Sequence, residues 1–265
     1  MERLEITAHK GPVDEEVPVV VLRRQGPPFL EMKDLLFDTN SAVPLLSAGE
    51  SLREFHLIDI LAAALAYGHK NPDRVCMIYG HADTVGEEPD NHELSRKRAV
   101  AVKALLLGEE TSFLSIATGT PFITVQKILA SLDAGMGMHC HPGTIDGMEG
   151  PKSAKAIKRF RQGYNELFDA QVSDLDHFER SSWQAYFRIV QDQIKEALAQ
   201  QGLERREVKF RLVSQRGGIV PCGERRPIEA KYRNNFRSQK NRRVELVFYL
   251  EKDIPEEETK NHFRP

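Results

Sequence analysis

The pair of residues with the clearest chemistry is one acid and one base fifteen positions apart, Asp83 and Arg98. Apolar residues recur at helical spacing between His92 and Leu107. At about 100° per residue, Leu94, Ala101 and Leu105 share one narrow sector, which must face a core. Arg98 falls in that same sector, whereas Arg96, Lys97 and Lys103 point well away from it. A guanidinium keeps its proton inside a protein, so Arg98 requires a carboxylate or an acidic ligand close by. Asp83 ends the segment VCMIYGHAD and starts the loop leading into the helix. An acid and a base at the carboxyl edge of a strand can hold a zwitterion, the aspartate taking an ammonium and the arginine a carboxylate through paired N–H groups. The plainer alternative is structural: Arg98 snorkels at the rim of the sheet or pairs with an internal acid.

Other reactive residues form weaker patterns. His139, Cys140 and His141 are consecutive, and two histidines one residue apart can chelate an ion. Neither an HExxH motif nor paired CxxC motifs accompany them, so no metal and no other cofactor is expected. No Ser/His/Asp or Cys/His set stands out, which leaves Cys140 with a distant histidine as the one nucleophile to consider. Cys76 lies in the apolar run VCMIYG and reads as a buried thiol. Cys140 and Cys222 both lie in loops containing Gly and Pro and could pair in an oxidising compartment. The CGERRP segment (222–227) reads as a loop rather than a nucleophile site.

The elements that must position these residues alternate. Residues 4–36 contain two short apolar stretches, VPVVVLRR and the run entering LLFDTN, separated by the breaker GPP; both predict strands. From Ser51 to Tyr67 the spacing of Leu52, Phe55, Leu61 and Leu65 predicts a helix that Gly68 is placed to end. Val75 to Tyr79 predicts a strand, and His92 to Leu107 a second helix. The Gly/Thr/Ser-rich stretch from Gly108 to Thr120 reads as a domain junction. Helices are predicted over 122–132 and 151–168, around the loop AGMGMHCHPGTIDGMEG. A longer helix follows, striped by Trp183, Phe187, Val190, Ile194 and Leu198 and closed by Gly202. Strands return at VKFRLV (208–213) and RRVELVFYL (242–250), before a polar, loose tail, 252–265.

At 265 residues the chain can hold one large domain or two small ones. Its net charge of −2 gives no sign of a nucleic-acid partner, which needs a basic face. No apolar run approaches the roughly 18 residues that span a bilayer, so no membrane insertion is expected. The opening residues lack the charged-then-apolar pattern of a secretory signal; either the chain is cytosolic at first or a leader has been removed.

The stretch GHADTVGEEPDNHELSRKRAVAVKALL resembles the peptidoglycan-associated motif of OmpA-like domains, roughly T-D-x-x-G, a short gap, then N-x-x-L-S-x-x-R-A-x-x-V. Asp83, Gly86, Asn91, Leu94, Ser95, Arg98, Ala99 and Val102 match it. LLFDTNSAVPL is similar to the family's first strand and turn, and NRRVEL (241–246) to its closing strand. The resemblance covers roughly 30–107 and 207–250. It implies an α+β fold, an OmpA-like βαβα-ββ sandwich that binds the diaminopimelate residue of the peptidoglycan stem peptide without cleaving it. Carried over onto this sequence, the ligand-binding set is Asp83 and Arg98, the turn residues Asp38, Thr39 and Asn40, with Asn91 and Arg242 (or Arg243) close by. Ala82 departs from the family, which has Thr or Ser there, and so removes a hydroxyl.

Residues 108–206 then read as an inserted all-helical subdomain. Within it, FITVQKILASLDAGMGMHCHPGTIDGMEGPKSAKAIKRFRQGYN resembles small helical peptidoglycan-binding modules. Gln126, Leu129, Pro142, Gly143, Asp146, Gly147, Gly150, Ala156, Ile157 and Phe160 match, while Ser153 replaces the usual Thr and Arg161 the usual Gln. Much of this set is expected to build the fold, with Asp146-Gly147 as a turn and Ser153 capping the next helix. The expected partner is peptidoglycan at the cell envelope or periplasm, where two weak modules gain by effective concentration. The alternatives are a peptidoglycan hydrolase or amidase using His139, His141 or Cys140, and an adaptor docking a secretion apparatus or envelope assembly onto the wall.

Overall fold

A computed structural model of the chain describes residues 29–32, 37–47, 56–173 and 175–256. Strand β1 (Phe29–Met32) precedes helix α1 (His56–Lys70), strand β2 (Arg74–Gly80) and helix α2 (Glu88–Leu107). Four more helices follow, α3 (Glu110–Ala117), α4 (Phe122–Met136), α5 (Pro151–Phe168) and α6 (Arg180–Gln200). The last strands are β3 (Ile219–Pro221) and β4 (Val244–Leu250). The four strands form one sheet in the order β1-β4-β2-β3. The chain is thus α+β, with the order βαβα, a run of helices, then ββ. The expected strand at VPVVVLRR lies outside the described residues, as do 51–55 and the tail beyond 256.

The register of β2 against β4 positions the candidate site. The two run antiparallel with Gly80 opposite Val244, and the ladder continues one step, the His81 amide donating to the Arg243 carbonyl at 3.0 Å. Extending that register brings the loop after β2 alongside the segment entering β4. Asp83 and Arg242, 159 residues apart in sequence, therefore meet.

Helix α2 closes onto the same strand end. A Cβ on Gly80 would lie 2.0 Å from the Ser95 carbonyl oxygen, so only glycine lets the helix approach this closely. Ser95 adds a hydrogen bond, its Oγ accepting from the Gly223 amide at 2.9 Å. Arg98, one turn further on, is carried over the end of the sheet. Gly108, at φ +75°, caps the helix in the left-handed conformation.

One face of the sheet packs on the helices, with Cys76, Ile78, Leu246 and Phe248 in the main core; Val75, Met77, Tyr79, Val247 and Tyr249 form a smaller cluster on the other face. The main core runs without a break into the helical block, where Phe113, Ile157, Phe160, Trp183, Tyr186 and Ile194 are buried in the same cluster as Leu61 and Leu105.

Five expectations change. Among the described residues VKFRLV makes one bridge, Leu212 to Cys76, and the strand pairing parallel with β2 is instead β3, too short for a period to show. Gly68 does not end α1, which runs to Lys70. A Cβ there would lie 2.8 Å from the Phe210 ring, so that glycine serves a close approach. The Gly108–Thr120 stretch is no slack junction, because α3 buries Phe113, Leu114 and Ala117. Ser153 does not cap α5, which starts from Gly150 with no side-chain cap; its hydroxyl lies inside the loop network described below. Cys140 and Cys222 are unpaired thiols, one in each cluster.

Candidate functional site

The turn before α1, the loop after β2, helix α2 and the segment entering β4 converge on two arginines. Arg98 is completely buried, yet it makes no ion pair with Asp83 or any other carboxylate among the described residues. Its Nε donates to the Ser41 carbonyl at 3.0 Å, Nη1 to the His81 carbonyl at 2.8 Å and Nη2 to the Asp38 carbonyl at 3.3 Å. The guanidinium also lies 5.3 Å from the centre of the Phe37 ring. Three of its five N–H groups are spent and two remain. Burial depresses its pKa to about 9, with the Arg242 charge adding and Asp83 and Asp38 opposing. It remains charged at neutral pH.

Asp83 pairs with Arg242 instead. Its Oδ2 accepts from Arg242 Nη1 at 2.8 Å and from the Ser238 amide at 3.2 Å. Both side chains are nearly buried, 8% and 5% exposed. Oδ1 carries no hydrogen bond among the described residues. The partner of Asp83 that sequence reasoning offered was Arg98; Arg242 was placed only nearby. The signal that could have found it is the β2–β4 register.

The turn meets Arg98 through backbone carbonyls rather than side chains. The Ser41 amide closes the turn on the Asp38 carbonyl at 3.1 Å, and Asp38 Oδ1 accepts from the Thr39 amide at 2.9 Å. Asn40 is exposed at φ +57°, a conformation asparagine tolerates. Asp38 Oδ2 forms an ion pair with Lys127 Nζ at 2.9 Å. Lys127 belongs to α4, so the helical block reaches the turn directly; nothing in its position on α4 announces this. Asn91 is buried but bonds Glu224 Oε2 at 2.7 Å, fixing the loop after β3. Ala82 is buried with its amide bonded to the Gly223 carbonyl, and the hydroxyl two residues on, that of Thr84, binds the Arg233 carbonyl at 2.8 Å.

Beside the pair sits a second charged group. Arg243 Nε bonds Glu245 Oε1 at 2.7 Å, and His81 Nε2 lies 3.7 Å from the same oxygen, beyond hydrogen-bond range. Burial holds the His81 imidazole below its ordinary range, Glu245 opposing. Burial of Glu245 would raise its carboxyl, but His81 and Arg243 outweigh it and bring it to about 2.

In the helical block, Gln126 is the hub that shapes the His/Gly-rich loop. Its Nε2 lies within hydrogen-bond distance of the Thr144 and Met148 carbonyls, Asp146 Oδ1 and Ser153 Oγ, while its Oε1 accepts from the Asp146 and Gly147 amides. These motif residues therefore build the loop, as their types suggest. Arg161, in place of the usual Gln, is wholly buried and bonds Ser182 and the carbonyls of Ser173 and His177. His139 and His141 are exposed and Cys140 is buried between them. Burial, with Asp133 adding, pushes the Cys140 thiol up to about 12, and it donates to the Leu129 carbonyl. A nucleophilic thiolate is disfavoured there. No group of three or more His, Cys, Asp or Glu side chains among the described residues could hold a metal ion.

No helix among the described residues is long and apolar enough to cross a membrane. Comparison with curated proteins and with solved structures gives no significant match. Residues 37–120, which run from the turn through α1, β2 and α2 to the end of α3, match the model of the OmpA family, whose domains are associated with binding peptidoglycan at the cell envelope.

Proposed function

We propose that the chain binds peptidoglycan without cleaving it, gripping a zwitterionic diaminopimelate centre between Arg98 and Asp83 and so anchoring itself, or an assembly attached to it, to the cell wall. On this reading residues 30–107 with 207–251 form the binding domain and 108–206 an inserted helical block.

The observation that carries the reading is the charge balance of the site. Two arginines are buried beside one buried carboxylate, because the second carboxylate, Asp38, is spent on Lys127. Arg98 is the cation left over, with two N–H groups to spare, and a ligand carboxylate would supply the missing charge. Asp83 Oδ1 is the complementary acceptor, free to take an ammonium. Arg98 is enclosed at 0% exposure, so the ligand must displace part of the surrounding turn to reach it.

The test is co-sedimentation with purified sacculi. Wild-type protein should sediment with them, and millimolar free diaminopimelate should release it. Asp83→Asn should weaken binding, whereas Arg96→Ala, on the exposed face of α2, should not. Sedimentation indifferent to both the competitor and Asp83→Asn would refute the site. Release of soluble muropeptides from the sacculi would refute the non-catalytic half of the proposal.

A further inference from the structure

The net charge of the whole chain conceals a strongly basic loop between β3 and β4. Eight of the twenty residues from Glu224 to Arg243 are Arg or Lys, and two are acidic. Most of that charge is spent within the fold. Arg225 pairs with Glu88, Lys240 with Glu229, Arg242 with Asp83 and Arg243 with Glu245, while Arg226 lies over the Tyr79 ring. Lys231, Arg233 and Arg237 are exposed and form no ion pair among the described residues. Tyr232, between the first two, is 98% exposed.

The loop is built, and it is built onto the candidate site. Thr84 Oγ1 binds the Arg233 carbonyl and accepts from the Phe236 amide. The Ser238 amide donates to Asp83 itself. Asn241 Oδ1 accepts from the amides of Ile228 and Glu229. Arg233 is further held against the Phe236 ring at 5.3 Å. The residues that present the free cations are thus anchored to the same strand end that carries Asp83.

A solvent-facing tyrosine flanked by unpaired cations fits an anionic ligand with flat or apolar segments to cover. We propose that Lys231, Tyr232, Arg233 and Arg237 form a second contact line for the wall polymer, binding carboxylates of stem peptides beyond the one held at Asp83 and Arg98. This rests on the function proposed above for that site. A polymer that repeats its carboxylates is favoured over a lipid surface for two reasons. The loop that carries the patch is hydrogen-bonded to Asp83 and Thr84 of the ligand site, and it offers three free cations, short of the roughly 4–8 that typically mark an anionic-lipid patch.

The full chain is compared with a triple variant, Lys231→Ser, Arg233→Ser and Arg237→Ser, and with Tyr232→Ser. Each is titrated with a soluble monomeric diaminopimelate muropeptide by calorimetry and with intact sacculi by co-sedimentation at 50 and 300 mM salt. Exposed ion contacts contribute little one by one, so the triple variant should bind sacculi about ten-fold more weakly and lose most of the salt dependence. Its affinity for the monomer should equal that of wild type, and Tyr232→Ser should weaken sacculus binding alone. Sacculus binding unchanged in the triple variant overturns the proposal. So does loss of monomer binding in that variant, because the loop would then act through the site. Binding of wild type to phosphatidylglycerol vesicles, abolished in the triple variant while sacculus binding persists, overturns it in favour of a membrane surface. Failure of wild type to bind the monomer refutes the reading of the site itself; sacculus binding that still depends on the three cations would then support the loop alone.

Discussion

Replacing Arg98 separates what it does for the fold from what it does for a ligand. Arg98→Ala strips donors from the carbonyls of Ser41, His81 and Asp38. A buried acceptor left without a partner costs about 1–3 kcal/mol, and the Asp38 carbonyl keeps its bond from the Ser41 amide. The carbonyls of Ser41 and His81 therefore cost roughly 3–5 kcal/mol together, and the cavity left by a fully buried side chain adds about 2 kcal/mol. Removing a desolvated cation that has no ion pair and is repelled by Arg242 returns a few kcal/mol. The net loss should be about 3–5 kcal/mol, a fall in Tm on the order of 10 °C. Arg98→Lys keeps the charge but reaches one or two carbonyls, so it should lose about 2 kcal/mol. Thermal unfolding gives the stabilities, and sacculus binding is measured well below the variants' midpoints. The lysine variant, folded at that temperature, should bind at least ten-fold more weakly, because a point charge cannot make the paired bonds a carboxylate accepts. A Tm for Arg98→Ala within about 2 °C of wild type would refute the clamp. Wild-type affinity in Arg98→Lys would refute the paired-bond reading of recognition.

Other consequences follow from the same contacts. Gly80→Ala drives a Cβ to 2.0 Å from the Ser95 carbonyl; α2 must shift, and stability should fall by about 2–4 kcal/mol in urea unfolding. Gln126→Leu removes the hub of the 144–153 loop and should expose that loop to limited proteolysis while leaving the sheet intact, as amide exchange of β2 and β4 would report. His81 is held below its ordinary range, so the unfolded chain takes up its proton first. Stability should be full above about pH 6.5 and decline below it, with a further loss below about pH 4.5 as Glu245, held near 2 in the fold, is reached. His81→Gln should flatten the upper part of that profile. Cys140, buried and raised to about 12, should resist thiol reagents until the protein is denatured, and Cys140→Ser should bind sacculi like wild type.

How much of this was legible in the sequence depends on the range over which each signal acts. Arg98 could be placed inside the fold because a helix fixes facing by position alone, and one cation among Leu94, Ala101 and Leu105 has nowhere else to point. That it would meet carbonyls rather than a carboxylate could not be read, because backbone groups leave no trace in residue type. The Asp83–Arg242 pair lay in between. The two strands were identified, but a register is set by pairing and packing together, and one residue of slip would have offered Arg243 or Asn241 instead. Gly68 shows how one residue type serves two ends: a helix stop and a close approach call for the same glycine, and only the Phe210 ring, 142 positions away, decides between them. The 231–237 loop was hidden by averaging. A net charge of −2 excludes a uniformly basic face and says nothing about twenty residues whose cations outnumber their acids. Which of those cations are free depends on partners as distant as Glu88 and Asp83, so the surface a polymer would meet is decided by the fold and not by the local sequence that supplies it.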